Sequence, residues 1–321
     1  MTILHYFDDN DSIVARYVAL LTQTIGTKVT MLCASKARDF KRLYAEQHPD
    51  IVHVHGQPQP SLPSDCRLVI TPHGHTLPSM KAYVVVARSQ MELNALKGQF
   101  KRVTIVRNPL VTRTTTNEEC ATLLMTIYQQ VMDSNVLQLM STQVRRAMAI
   151  LLSAASRDDR RWVEPVLAPG SLSLTALDFR RLYIYTQHEG VLPLLQKGLR
   201  LFSMDAPEPQ PIVSYLPDTF NQPQPMTGTS IIDLLRDVKA NGPSLLRLSE
   251  IDSALHDNSL DETALMSQID DKGLRPLLAA TLNLLKDQLL LTEGFMPCPP
   301  ASDRDSEPLR LQLEKRQDVM A

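Results

Sequence analysis

Cysteine is scarce and unpatterned in this chain: Cys33, Cys66, Cys120 and Cys298 stand apart with no C-x-x-C spacing. Reduced thiols in a cytosolic protein are the simplest account of them. Long apolar runs are missing too, none approaching the roughly 20 residues that cross a bilayer. The opening MTILHYFDDND has neither a basic region nor an apolar core ahead of small residues, so no secretory leader is expected. The expected location is cytoplasmic, with peripheral attachment to a membrane left open. There is no internal repeat, and no low-complexity tract beyond one proline-rich connector. Charge of one sign is lacking overall, since the net value is -2. That near-balance hides an asymmetry: residues 1–112 carry 13 Lys and Arg against 8 Asp and Glu, the remainder 20 against 27. A mildly basic first part suits an anionic ligand, although a few charges spread over a whole domain carry little weight alone.

What is present is enough core for two or three domains: 321 residues, 43% hydrophobic and 21% charged, ordinary proportions for a globular protein. From the first residue, short β-branched runs alternate with amphipathic ones. Thr2 to Phe7 reads as a strand, and SIVARYVALLTQTIG as a helix with Ser12 as N-cap and Gly26 past its end. KVTMLC, DIVHVH, RLVIT, AYVVVA and RVTIV are five further strands, with SKARDFKRLYAEQ a second helix. This alternation predicts an α/β fold with a Rossmann-like parallel sheet. Ser89 and Glu92 form an S-x-x-E capping box opening a third helix, whose amides face the carboxyl edge of the sheet and can hold an anion. QPQPSLPSD, between the third and fourth strands, reads as a loop. After Asn117 the period turns helical, so a mainly helical C-terminal region follows. The expected divisions are a Rossmann-like domain over 1–112, a helical region over 113–203, a connector over 204–229, a small helical domain over 230–296 and a polar tail over 297–321, mobile over PCPPASDRDSEP. Six prolines between Pro207 and Pro225 define the connector. Trp162 is expected to pin helix to helix, and the Arg160-Arg161 and Arg180-Arg181 pairs to be solvated or paired within the chain.

Residues 48–112 carry the chemistry. HPDIVHVHG, RLVITPHGH, AYVVVARSQMELNALKG and RVTIVRNPLVT each end a strand on Gly, His, Ser or Asn-Pro, and ligands of open α/β sheets bind at that carboxyl edge. His53 and His55 are two apart on a strand and share a face. His73 and His75 repeat the spacing at the end of the next strand. Two H-x-H pairs supply enough imidazoles for a metal such as zinc. No Asp or Glu lies within either motif, however, and the PHGH pair falls in a turn where facing is not fixed. The reading is polar groups lining a cleft, with no metal ligand assigned.

The order D-I-V-H-V-H-G, V-I-T-P-H-G, Y-V-V-V-A-R-S-Q-x-E and R-V-T-I-V-R-N-P resembles the N-terminal, acceptor-side domain of glycosyltransferase family 4, retaining hexosyltransferases of GT-B architecture. The resemblance spans residues 1–112. It implies that His73 sits near the transferring sugar as the candidate catalytic group and that Gly74 lets its loop approach closely. Ser89 would cap the cleft-facing helix, and Asn108 with Pro109 would match the turn leading out of the first domain. His53, His55, Gly56, Gly74, His75, Ser89 and Asn108 are the candidate substrate contacts. The resemblance implies a nucleotide sugar and a glycan as substrates and no cofactor.

The departures bear on the donor. Where the family's first strand meets a glycine-bearing, phosphate-facing loop, this chain reads DDND, with no glycine before Gly26, and carboxylates there repel a diphosphate. No two glutamates stand eight apart as in the family's E-x7-E motif. Two readings follow: a glycosyltransferase completed by a partner protein that supplies the donor half, or a non-catalytic descendant acting as a binding or scaffold protein. A third, a helix-turn-helix module in Ser244 to Glu293, fails on charge, because 4 basic residues against 9 acidic ones repel a phosphate backbone. No nucleic-acid partner is expected.

Overall fold

The structure is a computed structural model describing all residues except 27, 57–60, 63–65, 79–80, 113, 210–211, 213–214, 218–219, 227 and 320–321. Most of the expected proline loop after Gly56, and much of the 207–225 connector, lie outside the described residues. The chain divides into two compact units. The first is Met1–Ser134 with Val213–Phe220 and Asp318–Ala321; the second is Asn135–Ile212 with Asn221–Gln317.

The first unit is α/β and Rossmann-like. Its strands β1 (Thr2–Tyr6), β2 (Thr30–Ala34), β3 (Ile51–His55), β4 (Leu68–Thr71), β5 (Val84–Ala87) and β6 (Val103–Ile105) form one parallel sheet in the order β2-β1-β3-β4-β5-β6. The β-branched runs form strands because both faces of the sheet are covered. One face buries Leu4, Val52, Val54, Ile70 and Val85 with Phe40 of α2 (Ala37–Gln47) and Leu93 of α3 (Gln90–Leu96). The alternate residues meet α1 (Ser12–Ile25), which presents buried Val14, Tyr17, Val18 and Leu21, and α4 (Asn117–Met132), with Leu124 and Tyr128. The α/β unit therefore runs past residue 112, because α4 packs on α1 and β3. Asp11, not Ser12, caps α1, accepting from the Ile13 and Val14 amides at 3.1 Å each.

Among its described residues the second unit is built of helices joined by irregular segments, with no strand. It contains α5 (Val136–Leu139), α6 (Thr142–Ser156), α7 (Ala176–His188), α8 (Leu192–Leu201), α9 (Ile231–Asn241), α10 (Leu245–Leu255), α11 (Glu262–Asp271), α12 (Arg275–Leu289) and α13 (Asp303–Lys315). The tail expected to be mobile instead carries α13. Ser302 caps it by accepting from the Asp305 amide, Leu309 and Leu313 are buried, and Arg310 clamps Asp287 and Asn283 of α12. Trp162 pins as expected, its ring 5.3 Å from that of Phe295 and 5.8 Å from that of His256. Arg161 pairs with Asp159, and Arg181 donates to the Leu139 carbonyl. No described helix is long and apolar enough to cross a membrane.

Candidate functional site

Strand register assembles the imidazoles. His5 stands opposite His53 across the β1–β3 pair, and His55 opposite Thr71 across β3–β4. Residues of one parity share a face, so His5, His53, His55 and Thr71 all point toward α1 and α4. His5 Nδ1 lies 2.9 Å from His55 Nε2, and His55 Nδ1 lies 3.1 Å from His73 Nε2. His53 is held at both nitrogens, by the Tyr128 hydroxyl at 2.7 Å and the Thr71 hydroxyl at 2.8 Å. Tyr17 stands edge-on to the His55 and His73 rings, and its hydroxyl lies 3.5 Å from Cys120 Sγ.

Burial keeps these rings neutral, since a charged imidazole loses its hydration there. It lowers His5 to about 3, and His73 to about 4 with Arg88 adding to the effect. His53 and His55 lie well below the usual imidazole range, through burial first and then, for His53, through His5 and His73, and for His55 through His53, His5 and His73.

Above this layer lies the rim. His73 and Gly74 have φ of 54° and 90°, and the His75 amide donates to the Pro72 carbonyl at 3.0 Å. Two successive positive φ values give the sign pattern of a type I′ turn, which glycine tolerates freely. A Cβ on Gly74 would stand 3.0 Å from Arg88 Nη2. Glu92 fixes this turn: its carboxylate accepts from the Gly74 amide at 2.9 Å and the Arg88 amide at 2.6 Å, and it pairs with the Arg88 guanidinium. The expected capping box is therefore half formed. Ser89 accepts from the Glu92 amide, while Glu92 reaches past Ser89 to Arg88 and to the neighbouring loop. The Ser89 hydroxyl thus occupies one of the helix amides expected to face an anion, and the Glu92 carboxylate occupies two amides of the adjoining loops.

A cavity of about 370 Å3 opens at the carboxyl ends of β1, β2 and β3, lined by Tyr6, Asp8, Asp11, Val14, Ser35, His55, Gly56 and His75. Strand order reverses between β1 and β3, the switch point where ligands of such sheets bind. Among the described residues the lining carries two carboxylates, two hydroxyls (Tyr6 and Ser35) and two imidazoles, but no Lys or Arg.

His55, Gly56 and His75 line the cavity, and His73 joins it through His55. His53 does not: it is fully buried with both nitrogens engaged, and lies beneath the rim without lining the cavity. Ser89 is exposed at the start of α3, beyond β5, and buried Asn108 follows β6. At roughly 4.8 Å per strand these lie about 10 and 14 Å from the β3 end, apart from the imidazoles. Asn108 accepts from the Leu110 amide and orders its own turn.

Sequence reasoning missed His5, Tyr128 and Glu92's second role. His5 is a single histidine in an apolar strand, and only its pairing with β3 reveals it. Comparison with family models, with curated proteins and with solved structures finds no match to this chain.

Proposed function

We propose that this protein is a glycosyltransferase-like, acceptor-side module that binds a glycan at the β1/β3 rim and depends on a partner chain for any nucleotide-sugar donor. The observation that carries this reading is the cavity's chemistry. Asp8, Asp11, Ser35 and His75 offer acceptors for hydroxyl donors, and O–H···O⁻ bonds to carboxylates are short and strong. The volume falls within the range of small-ligand sites.

A leaving diphosphate, by contrast, needs cations or open amides. The α1 amides at the switch point are taken by Asp11, and those of Gly74 and Arg88 by Glu92. Among the described residues the second unit has no strand from which a donor-binding sheet could be built. In this reading His73, which adjoins the cavity through its bond to His55, acts on the sugar only after that bond opens, and burial keeps its ring neutral. Without a partner the same site serves as a non-catalytic glycan receptor.

The test is saturation-transfer NMR of the full chain against a panel of neutral oligosaccharides and of nucleotide sugars. The reading expects transfer to an oligosaccharide, reduced by Asp8→Asn or His75→Ala, and none to the nucleotide sugars. Binding of a nucleotide sugar by this chain alone, or indifference of glycan binding to both substitutions, overturns it.

A further inference from the structure

We infer that His5, His53 and His55 form a binding site for one divalent transition ion of the zinc class. Each offers a ring nitrogen, and the three nitrogens lie within 4.8 Å of one another. Two nitrogens bound at about 2.0–2.1 Å to one ion with tetrahedral angles stand about 3.3 Å apart. His5 Nδ1 and His55 Nε2, at 2.9 Å, are a few tenths of an ångström short of that separation and admit an ion once the two rings part and tilt. The ring centroids stand 5.2 Å apart for His5–His53, 5.1 Å for His5–His55 and 4.1 Å for His53–His55, with His55 stacked on both neighbours, so uptake of an ion turns these rings as well as parting them.

The protons can rearrange without loss. In the ion-free cluster one proton is shared between His5 Nδ1 and His55 Nε2, and an ion taking both lone pairs must move it. Two destinations exist. His5 Nε2 is buried with no hydrogen-bond partner and can take the proton as the other tautomer. Alternatively His55 carries its proton on Nδ1 and donates to His73 Nε2, with the His73 proton on Nδ1, which is itself buried without a partner. Either route leaves all the imidazoles neutral and releases no proton. Both unpaired nitrogens sit at the ends of this chain, where a tautomeric shift needs them.

Outer contacts match those that orient metal-bound histidines, whose second nitrogen is normally engaged by a neighbouring polar group. His55 has His73, and His53 has Tyr128 on one nitrogen and Thr71 on the other, so it keeps an anchor whichever nitrogen it gives up. The ion class follows from the donors. A set of imidazoles with no carboxylate selects Zn²⁺, Co²⁺, Ni²⁺ or Cu²⁺ over Mg²⁺ or Ca²⁺. Neutral ligands leave the ion its charge, so a fourth, water-derived or anionic ligand completes the site. The adjoining cavity, with His55, Asp8 and Asp11 in its wall, gives cations a route of approach. The inference does not rest on glycan binding and is read out separately.

The experiment uses the tag-free full chain, stripped with a chelator and titrated with Co²⁺ and then Zn²⁺ by calorimetry and visible absorption. One equivalent is expected, with the d–d bands of a four- or five-coordinate imidazole site displaced by Zn²⁺. His5→Asn and His55→Asn should each weaken Zn²⁺ binding at least about tenfold, while His48→Ala on the surface leaves it unchanged. X-ray absorption on the wild-type zinc complex covers the case in which buried variants fail to fold, and should show three imidazoles bound. Failure of the folded wild type to take up one equivalent at millimolar Zn²⁺ overturns the site. So does a first shell with fewer than two imidazoles, or binding that survives in folded His5→Asn and His55→Asn.

Discussion

Glu92 illustrates how much one side chain can organise at the residue scale. Burial raises its pKa, but the Arg88 amide and guanidinium and the Gly74 amide outweigh that and hold it below the usual carboxylate value. Replacing it with Ala leaves two amides without their acceptor, and losses of this kind cost about 1–3 kcal/mol. Glu92→Ala is therefore expected to lower the urea midpoint at constant m-value and to speed amide exchange at Gly74 and Arg88. His188 supplies a pH-dependent case. It is 7% exposed, and burial lowers its pKa from 6.5 to about 4, with Gln317 opposing. The folded form thus binds a proton less readily than the unfolded form, so its contribution is fully present above pH 6.5 and is lost as pH falls from 6.5 toward 4. The full shift amounts to about 3 kcal/mol at most. Urea unfolding at pH 7.5, 5.5 and 4.5 should show a decline in wild type that is shallower in His188→Phe. An equal slope in both would contradict this account. These side chains also mark what the sequence makes legible. His53 and His55 announce themselves by spacing two apart in a strand. His5 joins them only through a register set 48 residues away, and Tyr128 only through a helix 75 residues away.

Among elements, strands were the most legible part of the chain because a parallel strand buried on both faces must be a short, continuous apolar run. Caps were less so. Asp11 and Ser12 are both good N-cap types, and only the hydrogen bonds to Ile13 and Val14 decide between them. The C-terminal tail misleads by composition: residues 303–315 are mostly polar, yet two leucines four apart and Arg310 suffice to dock α13 on α12. Helix contact in the second unit turns on Gly198 of α8. A Cβ there would lie 2.3 Å from the Leu151 carbonyl oxygen of α6, far inside any real contact, and the obstacle is backbone and cannot swing aside. Alanine is favoured over glycine in a helix by about 1 kcal/mol, but forcing α6 and α8 apart opens gaps around Leu195 and Leu199, and overpacking of this sort costs about 1–3 kcal/mol or more. Gly198→Ala should therefore destabilise despite the better helix former, seen as a lower thermal midpoint. A rise would show that α6 and α8 do not meet at this point.

For the whole molecule, sign and placement of charge decide what the rim can hold. The formal excess of cations in residues 1–112 had suggested an anionic ligand, yet the cavity lining has Asp8 and Asp11 and no Lys or Arg. Arg88, the cation placed at the neighbouring turn, is committed to Glu92. Net charge of a segment says little about a site because exposed charges beyond about 8–10 Å are screened, whereas the groups lining the cavity act at contact distance. Two outcomes follow from the proposed glycan site. A bound neutral oligosaccharide should show nearly the same Kd at 50 and 500 mM NaCl, because carboxylate-to-hydroxyl bonds form at contact and no counterion is displaced. A nucleotide diphosphate added to this chain should bind more weakly than about 1 mM, the equivalent of no more than about 4 kcal/mol, since among the described residues the cavity lining has no cation and the Ile13 and Val14 amides of α1, the helix beside it, are taken by Asp11. Calorimetry at the two salt concentrations checks both. Strong salt dependence of glycan binding, or micromolar diphosphate affinity, would require a cationic surface away from this rim and would place the ligand site elsewhere in the protein.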